Sequence, residues 1–297
     1  MNWNGGLAGL FLAGLIGAGV QSSAAADTTS DNVRETNSIF QSRAEENAEP
    51  FSWDAERYAR ADRAFSVLYP RTIEKHHVLL SLDHRAFTPV DDHPGRNLLG
   101  FDTGNLKIGL GLRYGLLDNL DLAVGRYNGT TDDFDVYEFS LRCQVVNEQK
   151  NGFDGAFVLG LSAFDEPERE DFYGTYAELL AGKTFFRRLY PTVGIMHHSE
   201  STGIGKTADD DQSSLAVATT LNALLVDRLA LVSEWSFPVA GYNAGYPAWV
   251  VGLKYSTWGH SFSLVLSNTQ NISSDGLVAG SDRLARPIIG FTITRLL

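Results

Sequence analysis

Asn105 to Gly115 reads NLKIGLGLRYG. In an extended chain Leu106, Ile108, Leu110, Leu112 and Tyr114 share one face, and Lys107, Gly109, Gly111 and Arg113 share the other. A period of two over this length is a β-strand with one greasy face and one polar or small face. The same alternation runs outward in both directions. It is clear at residues 78–85, 137–145, 214–225, 249–255, 261–267 and 289–294, and weaker at 120–127, 153–164, 176–186, 189–198 and 229–237. That makes about twelve strands, the even number expected of a single-chain bacterial barrel. Their usual length of about ten residues suits a tilted strand crossing a bilayer.

Alternation alone does not say which face is inside. A soluble barrel buries the greasy face, whereas a membrane barrel turns it to lipid and keeps polar residues in the lumen. Three features favour the membrane. Aromatic residues gather near strand ends, at Tyr114, Tyr127, Phe185, Phe186, Tyr190, Trp235, Phe237, Trp249, Tyr255 and Trp258, as interfacial girdles do. Small residues such as Gly109, Gly111 and Gly125 sit mid-strand, where a curved wall needs them. Loop lengths alternate. Connections at 118–119, 147–152, 187–188, 227–228 and 258–259 are short, and most of the others are longer and polar. The expected fold is all-β: one antiparallel up-and-down transmembrane barrel over residues 75–297, with both chain ends on the short-turn side.

Composition narrows the classes further. Lys and Arg total 24 against 36 Asp and Glu, for a net charge of −12. That balance argues against a nucleic-acid partner, which needs a basic face. A single cysteine, Cys143, excludes an internal disulfide and a thiolate-rich metal cage. Gly5 to Val20 is the only long apolar run, and Ala24-Ala25-Ala26 follows it. This pattern reads as a cleaved secretory signal over residues 1–26 and puts the mature chain outside the cytoplasm. Residues 27–74 form a polar arm, with a short amphipathic helix expected near 53–66. The expected location is the bacterial outer membrane of a Gram-negative cell. The expected partners are outer-membrane lipid, the barrel-insertion machinery and small solutes.

Four segments carry a family resemblance: Leu82-Asp83-His84-Arg85, Phe101-Asp102-Thr103-Gly104, Gly111-Leu112-Arg113-Tyr114-Gly115 and Val124-Gly125-Arg126. From about residue 77 to 296 the chain resembles a family of uncharacterised bacterial membrane-bound β-barrel proteins. Two departures stand out. Ala86 follows Arg85, with the aromatic one place later at Phe87, and the segment Ala123 to Arg126 lacks its first glycine. The resemblance implies fold and location and no activity. The chain ends Thr294-Arg295-Leu296-Leu297, without the terminal aromatic of typical outer-membrane barrels.

Several residues are candidates for chemistry. Lys107, Arg113, Glu138, Arg142, Glu178, Glu234 and Lys254 fall on polar faces and should face the lumen. Paired, they would fill it; separated, they would set ion selectivity. Arg113 has Glu138 as one candidate partner. His197 and Ser199 lie two apart, so both project from one face. Such a pair resembles the base and nucleophile of outer-membrane lipid hydrolases, with Asn222, Glu200 or Glu178 as the third member. The bland reading is a pair of wet rim residues. The acid clusters Asp91-Asp92, Asp132-Asp133 and Asp209-Asp210-Asp211 match no EF-hand spacing and read as solvated loops. His76, His77, His84 and His93 lie near the first strand without a metal-ligand pattern. No cofactor and no metal are expected. The leading function is a passive pore or a plugged structural barrel, with a lipid hydrolase or a soluble periplasmic binding barrel as alternatives.

Overall fold

The computed structural model describes residues 62–90, 106–128, 135–165, 172–201 and 213–297. The expected signal segment, residues 53–61 of the expected helix, and the acid clusters at 91–92, 132–133 and 209–211 lie outside the described residues. Twelve antiparallel strands close into one barrel. They are β1 (Val78–Ala86), β2 (Leu106–Leu117), β3 (Leu120–Tyr127), β4 (Asp135–Val146), β5 (Asp154–Asp165) and β6 (Phe172–Gly182). They continue as β7 (Leu189–His198), β8 (Ser214–Val226), β9 (Leu229–Gly241), β10 (Ala248–Ser256), β11 (His260–Ser267) and β12 (Ile288–Leu296). Each strand pairs with its neighbours in sequence, and β1 closes on β12 with Leu79 opposite Leu296 and Arg85 opposite Gly290. A closed ladder leaves no unpaired edge, which is what a sheet in hydrocarbon requires. Two short helices interrupt the connections, α1 (Glu148–Asn151) and α2 (Ser274–Ala279).

The faces are those of a membrane barrel. On β2, Leu110 is 54% exposed while Lys107 and Arg113 are buried at 2% and 8%. Leu159, Leu161, Leu179, Ile195 and Leu264 are likewise more than half exposed or at half. A soluble barrel needs the reverse, so that alternative falls. Placing arginine at Leu110 should cost about 2–4 kcal/mol, the penalty for a cation near the bilayer midplane. Urea unfolding of the barrel in lipid vesicles checks it; a smaller change would mean that this face is not in hydrocarbon.

Aromatic residues ring both ends on the outside, with Phe186 85% and Trp258 69% exposed at the short-turn end. Trp235 packs on Phe237 and Trp249 at the other end. Two residues expected in these girdles are not there. Tyr127 and Tyr190 point inward and are buried at 6% and 0%, because Tyr127 shares its face with Asp121 and Tyr190 donates to Asp154. The sixth strand also stops earlier than its apolar run suggests, at Gly182. Phe186 and Arg187 take positive φ, 51° and 57°, and turn the chain there without a glycine.

Two segments fill the barrel. Residues 62–73 enter it from the N-terminal side. Arg63 and Leu68 bridge across a tight turn, and Asp62 to Val67 are not helical. Phe65 packs on Val232, Val250 and Val265, and Leu68 on Val158, Tyr176 and Leu180, all inward positions of the wall. From the long-loop end, residues 268–281 fold inward. There Leu277 and Val278 of α2 meet Met196, Ala216, Ala248 and Val67. The two inserts thus share one apolar cluster through Val67. Small inward residues make room for rings of the wall and of the insert alike: a methyl group at Gly160 would overlap the Tyr176 ring, one at Gly109 would lie 2.8 Å from that of Tyr127, and one at Gly252 would lie 3.1 Å from that of Phe65.

Candidate functional site

The lumen is the candidate site, and its charges grip the 62–73 insert by the backbone. Glu234 on β9 reaches inward, and one of its oxygens accepts three consecutive N–H groups, from Phe65 (3.0 Å), Ser66 (2.8 Å) and Val67 (2.9 Å). A tight turn presents successive N–H groups as an anion nest, and here the anion is a wall carboxylate. Lys254 on β10 donates to the Arg63 carbonyl at 2.9 Å. Its ammonium also lies 5.8 Å from the centroid of the Phe65 ring and 5.9 Å from that of Tyr69. Cations over aromatic faces gain most when desolvated.

Opposite them, Arg142 on β4 is fully buried. It donates to the carbonyls of Asp62 (3.0 Å) and Tyr69 (2.8 Å), and its other nitrogens bind Asp121 at 2.6 and 3.1 Å. Asp121 also takes Arg113 at 2.6 Å and the Ile73 N–H at 3.1 Å. Arg113 therefore pairs with Asp121 rather than with Glu138. The two lie on adjacent strands near the short-turn end, whereas Glu138 accepts from Ser274 of the long-loop insert. Lower down, Arg71 forks between Asp154 and Glu148, both at 2.6 Å. Burial opposes the charge on Arg71, but Tyr190, Asp154 and Glu148 outweigh it and hold its pKa above the ordinary arginine value.

Six of the expected lumen-facing residues, Lys107, Arg113, Arg142, Glu178, Glu234 and Lys254, are buried on the inward face; the seventh, Glu138, lines the same interior. Asp83, Asp121, Arg63 and Arg71 were not among the site candidates. Asp83 binds Arg63, which also donates to Ser81 at 2.9 Å. Strand parity could have found Asp121, which opposes Leu120, Leu122 and Val124. No periodicity marks Arg63 or Arg71.

His197 and Ser199 bond to other neighbours than each other. His197 is exposed, and its Nε2 lies 3.1 Å from the Ser213 hydroxyl. The Ser199 hydroxyl accepts the Thr175 N–H at 2.8 Å. Asn222 sits in the lumen, 3.5 Å from the Tyr69 hydroxyl, Glu178 also faces inward, and Glu200 donates its N–H to His198 Nδ1. A different pair meets inside: His198 Nε2 is 3.0 Å from the Ser162 hydroxyl. There Nδ1 accepts the Glu200 N–H at 3.1 Å, so the ring proton sits on Nε2 and is donated to Ser162. A histidine in that tautomer does not take a serine proton. Among the described residues no group of three His, Cys, Asp or Glu side chains is arranged for a metal. His84 stacks outward on Phe291, away from His76 and His77, and His93 lies outside the described residues.

The fold is similar to several solved outer-membrane barrels. LpxR from Salmonella typhimurium matches at 12% identity, covering 74% of this chain and 99% of that one, with a TM-score of 0.39. Outer-membrane phospholipase A from Escherichia coli matches at 12%, covering 74% and 92%, with a TM-score of 0.40. The translocator domain of the autotransporter NalP from Neisseria meningitidis matches at 11%, covering 91% and 99%, also at 0.40. Likeness at this level says nothing about activity. No curated protein matches the chain. The family described as the membrane-bound beta barrel domain (DUF5777) matches residues 70–297, the whole wall from β1 to β12, and the chain belongs to it.

Proposed function

We propose that the protein is an outer-membrane barrel closed to solutes while residues 62–73 fill it, and that it passes small polar solutes when that segment leaves. The observation that carries this reading is the Glu234 nest. The insert is held largely by polar contacts between wall side chains and its main chain, which water can replace one by one. A permanently filled barrel has no need of such an inventory, since apolar packing alone would serve. The exposed apolar belt would sit in outer-membrane lipid, and assembly would call on the barrel-insertion machinery.

Planar-bilayer recording tests the reading. Wild-type protein is expected to be closed with rare brief openings, and Glu234→Ala and Arg142→Leu to open for longer. A large steady wild-type conductance would mean an open pore. Silence from both variants would mean a structural barrel.

A further inference from the structure

Arg85 is fully buried on the inward face of β1, yet none of its three side-chain nitrogens has a hydrogen-bond partner among the described residues. A guanidinium carries five N–H donors, and a buried charge left unbonded is costly. Asp83 and Glu234 attract it only from beyond hydrogen-bond reach. Glycines shape the place where it lies. Arg85, Gly290, Val265 and Gly252 follow one another across β1, β12, β11 and β10. A methyl group at Gly290 would lie 2.9 Å from Arg85 Cδ, and one at Gly252 would lie 3.1 Å from the Phe65 ring. The wall arginine and the phenylalanine of the insert therefore share one shallow trough.

The nearest carboxylate along the strand is already taken. Asp83 lies two residues before Arg85 on β1, so it shares the inward face, about 7 Å away. One Asp83 oxygen accepts from Arg63 of the insert, and the other accepts from the Thr292 hydroxyl at 2.7 Å. Two cations thus contend for one carboxylate, one from the wall and one from the insert. We infer that Arg63 displaces Arg85 from Asp83 when the insert docks, and that Arg85 takes Asp83 back when the insert leaves. Filling strands a wall cation and release restores its partner, so the exchange offsets part of what docking gains and keeps the filling reversible. That exchange rests on the gate reading above; the contest for Asp83 in the filled barrel does not.

A double-mutant cycle on Arg63 and Arg85 in the full-length protein tests this. Removing Arg85 relieves a stranded charge while Arg63 is present, but leaves Asp83 without a cation once Arg63 is gone. Arg85→Met should therefore raise the urea unfolding midpoint of the barrel in lipid vesicles, and lower it in an Arg63→Met background. The reaction of Ser66→Cys with a charged maleimide, in a Cys143→Ser background, should follow the same reversal. Arg85→Met alone should slow it about tenfold or more, and should speed it relative to Arg63→Met alone when the two are combined. A midpoint that falls or stays with Arg85→Met alone, or moves the same way in both backgrounds, overturns the contest and leaves Arg85 a hydrated lumen charge. A reactive cysteine whose rate ignores Arg85→Met overturns the exchange. Should the double variant fail to fold, the direction of the Arg85→Met midpoint decides. If the midpoints reverse as expected while Ser66→Cys stays unreactive in every protein, Glu234→Ala included, the contest stands and the gate reading falls.

Discussion

Glu234→Ala is expected to loosen the 62–73 insert more than any other single change to the wall. The substitution leaves the N–H groups of Phe65, Ser66 and Val67 without their acceptor. A buried donor without a partner costs about 1–3 kcal/mol, and about 1.4 kcal/mol is already a tenfold change in an equilibrium. Even with one of the three relieved by water, two unrelieved donors would raise the released population by roughly a hundredfold. A cysteine at Ser66 in a Cys143→Ser background reads this directly, by its rate of reaction with a charged maleimide. The rate should be slow with Glu234 in place and about a hundred times faster with alanine there. Glu234→Gln keeps an acceptor oxygen and should move the rate far less. Equal rates in all three proteins would show that the apolar contacts of Phe65 and Leu68 alone hold the insert.

Arg142→Leu is expected to give the largest loss of stability in the wall. Arg142 is fully buried and serves three partners at once, the Asp121 carboxylate and the carbonyls of Asp62 and Tyr69. Removing one member of a buried ion pair costs about 3–5 kcal/mol, because the remaining charge stays behind. Here the loss is partly softened, since Asp121 keeps Arg113 and the Ile73 N–H. Arg113→Leu should cost less, because Arg142 continues to hold Asp121 with two nitrogens and no insert carbonyl depends on Arg113. Guanidinium unfolding midpoints of the detergent-solubilised barrel should therefore fall further for Arg142→Leu than for Arg113→Leu. The opposite order would mean that the carbonyl contacts to the insert contribute nothing.

The wall was legible because strand parity is a local property. Leu106 to Tyr114 carries its own answer, and the inward placement of Lys107, Arg113 and Arg142 follows from counting by twos. Partners across the lumen are not local. Arg113 chose Asp121 over Glu138 through register and depth, which parity does not encode. Tyr127 and Tyr190 looked like girdle residues because aromatic character and a place near a strand end do not say which face a ring takes. The inserts were hidden for a related reason. Residues 62–73 have no repeating contact surface, because their side chains are spread over several strands and the backbone is held by side chains far away in sequence. His197 and Ser199 share a face as spacing demands, yet each turns to another neighbour, Ser213 and Thr175.

The position of the insert ahead of β1 bears on how the molecule is put together. The wall becomes a cylinder only when β12, the last strand made, meets β1 along their shared ladder. The groups that hold residues 62–73 come from β1, β3, β4, β5, β9 and β10, on both sides of that seam. While the seam is open, the segment can be laid against a curling sheet from the side; once it is shut, the same residues must thread in through one end. The insert then serves as a mandrel, around which the sheet is wrapped and which sets the curvature at which the ends meet. A chain whose mandrel binds late would zip up hollow and fill only by threading through one end, a slower route than being wrapped from the start.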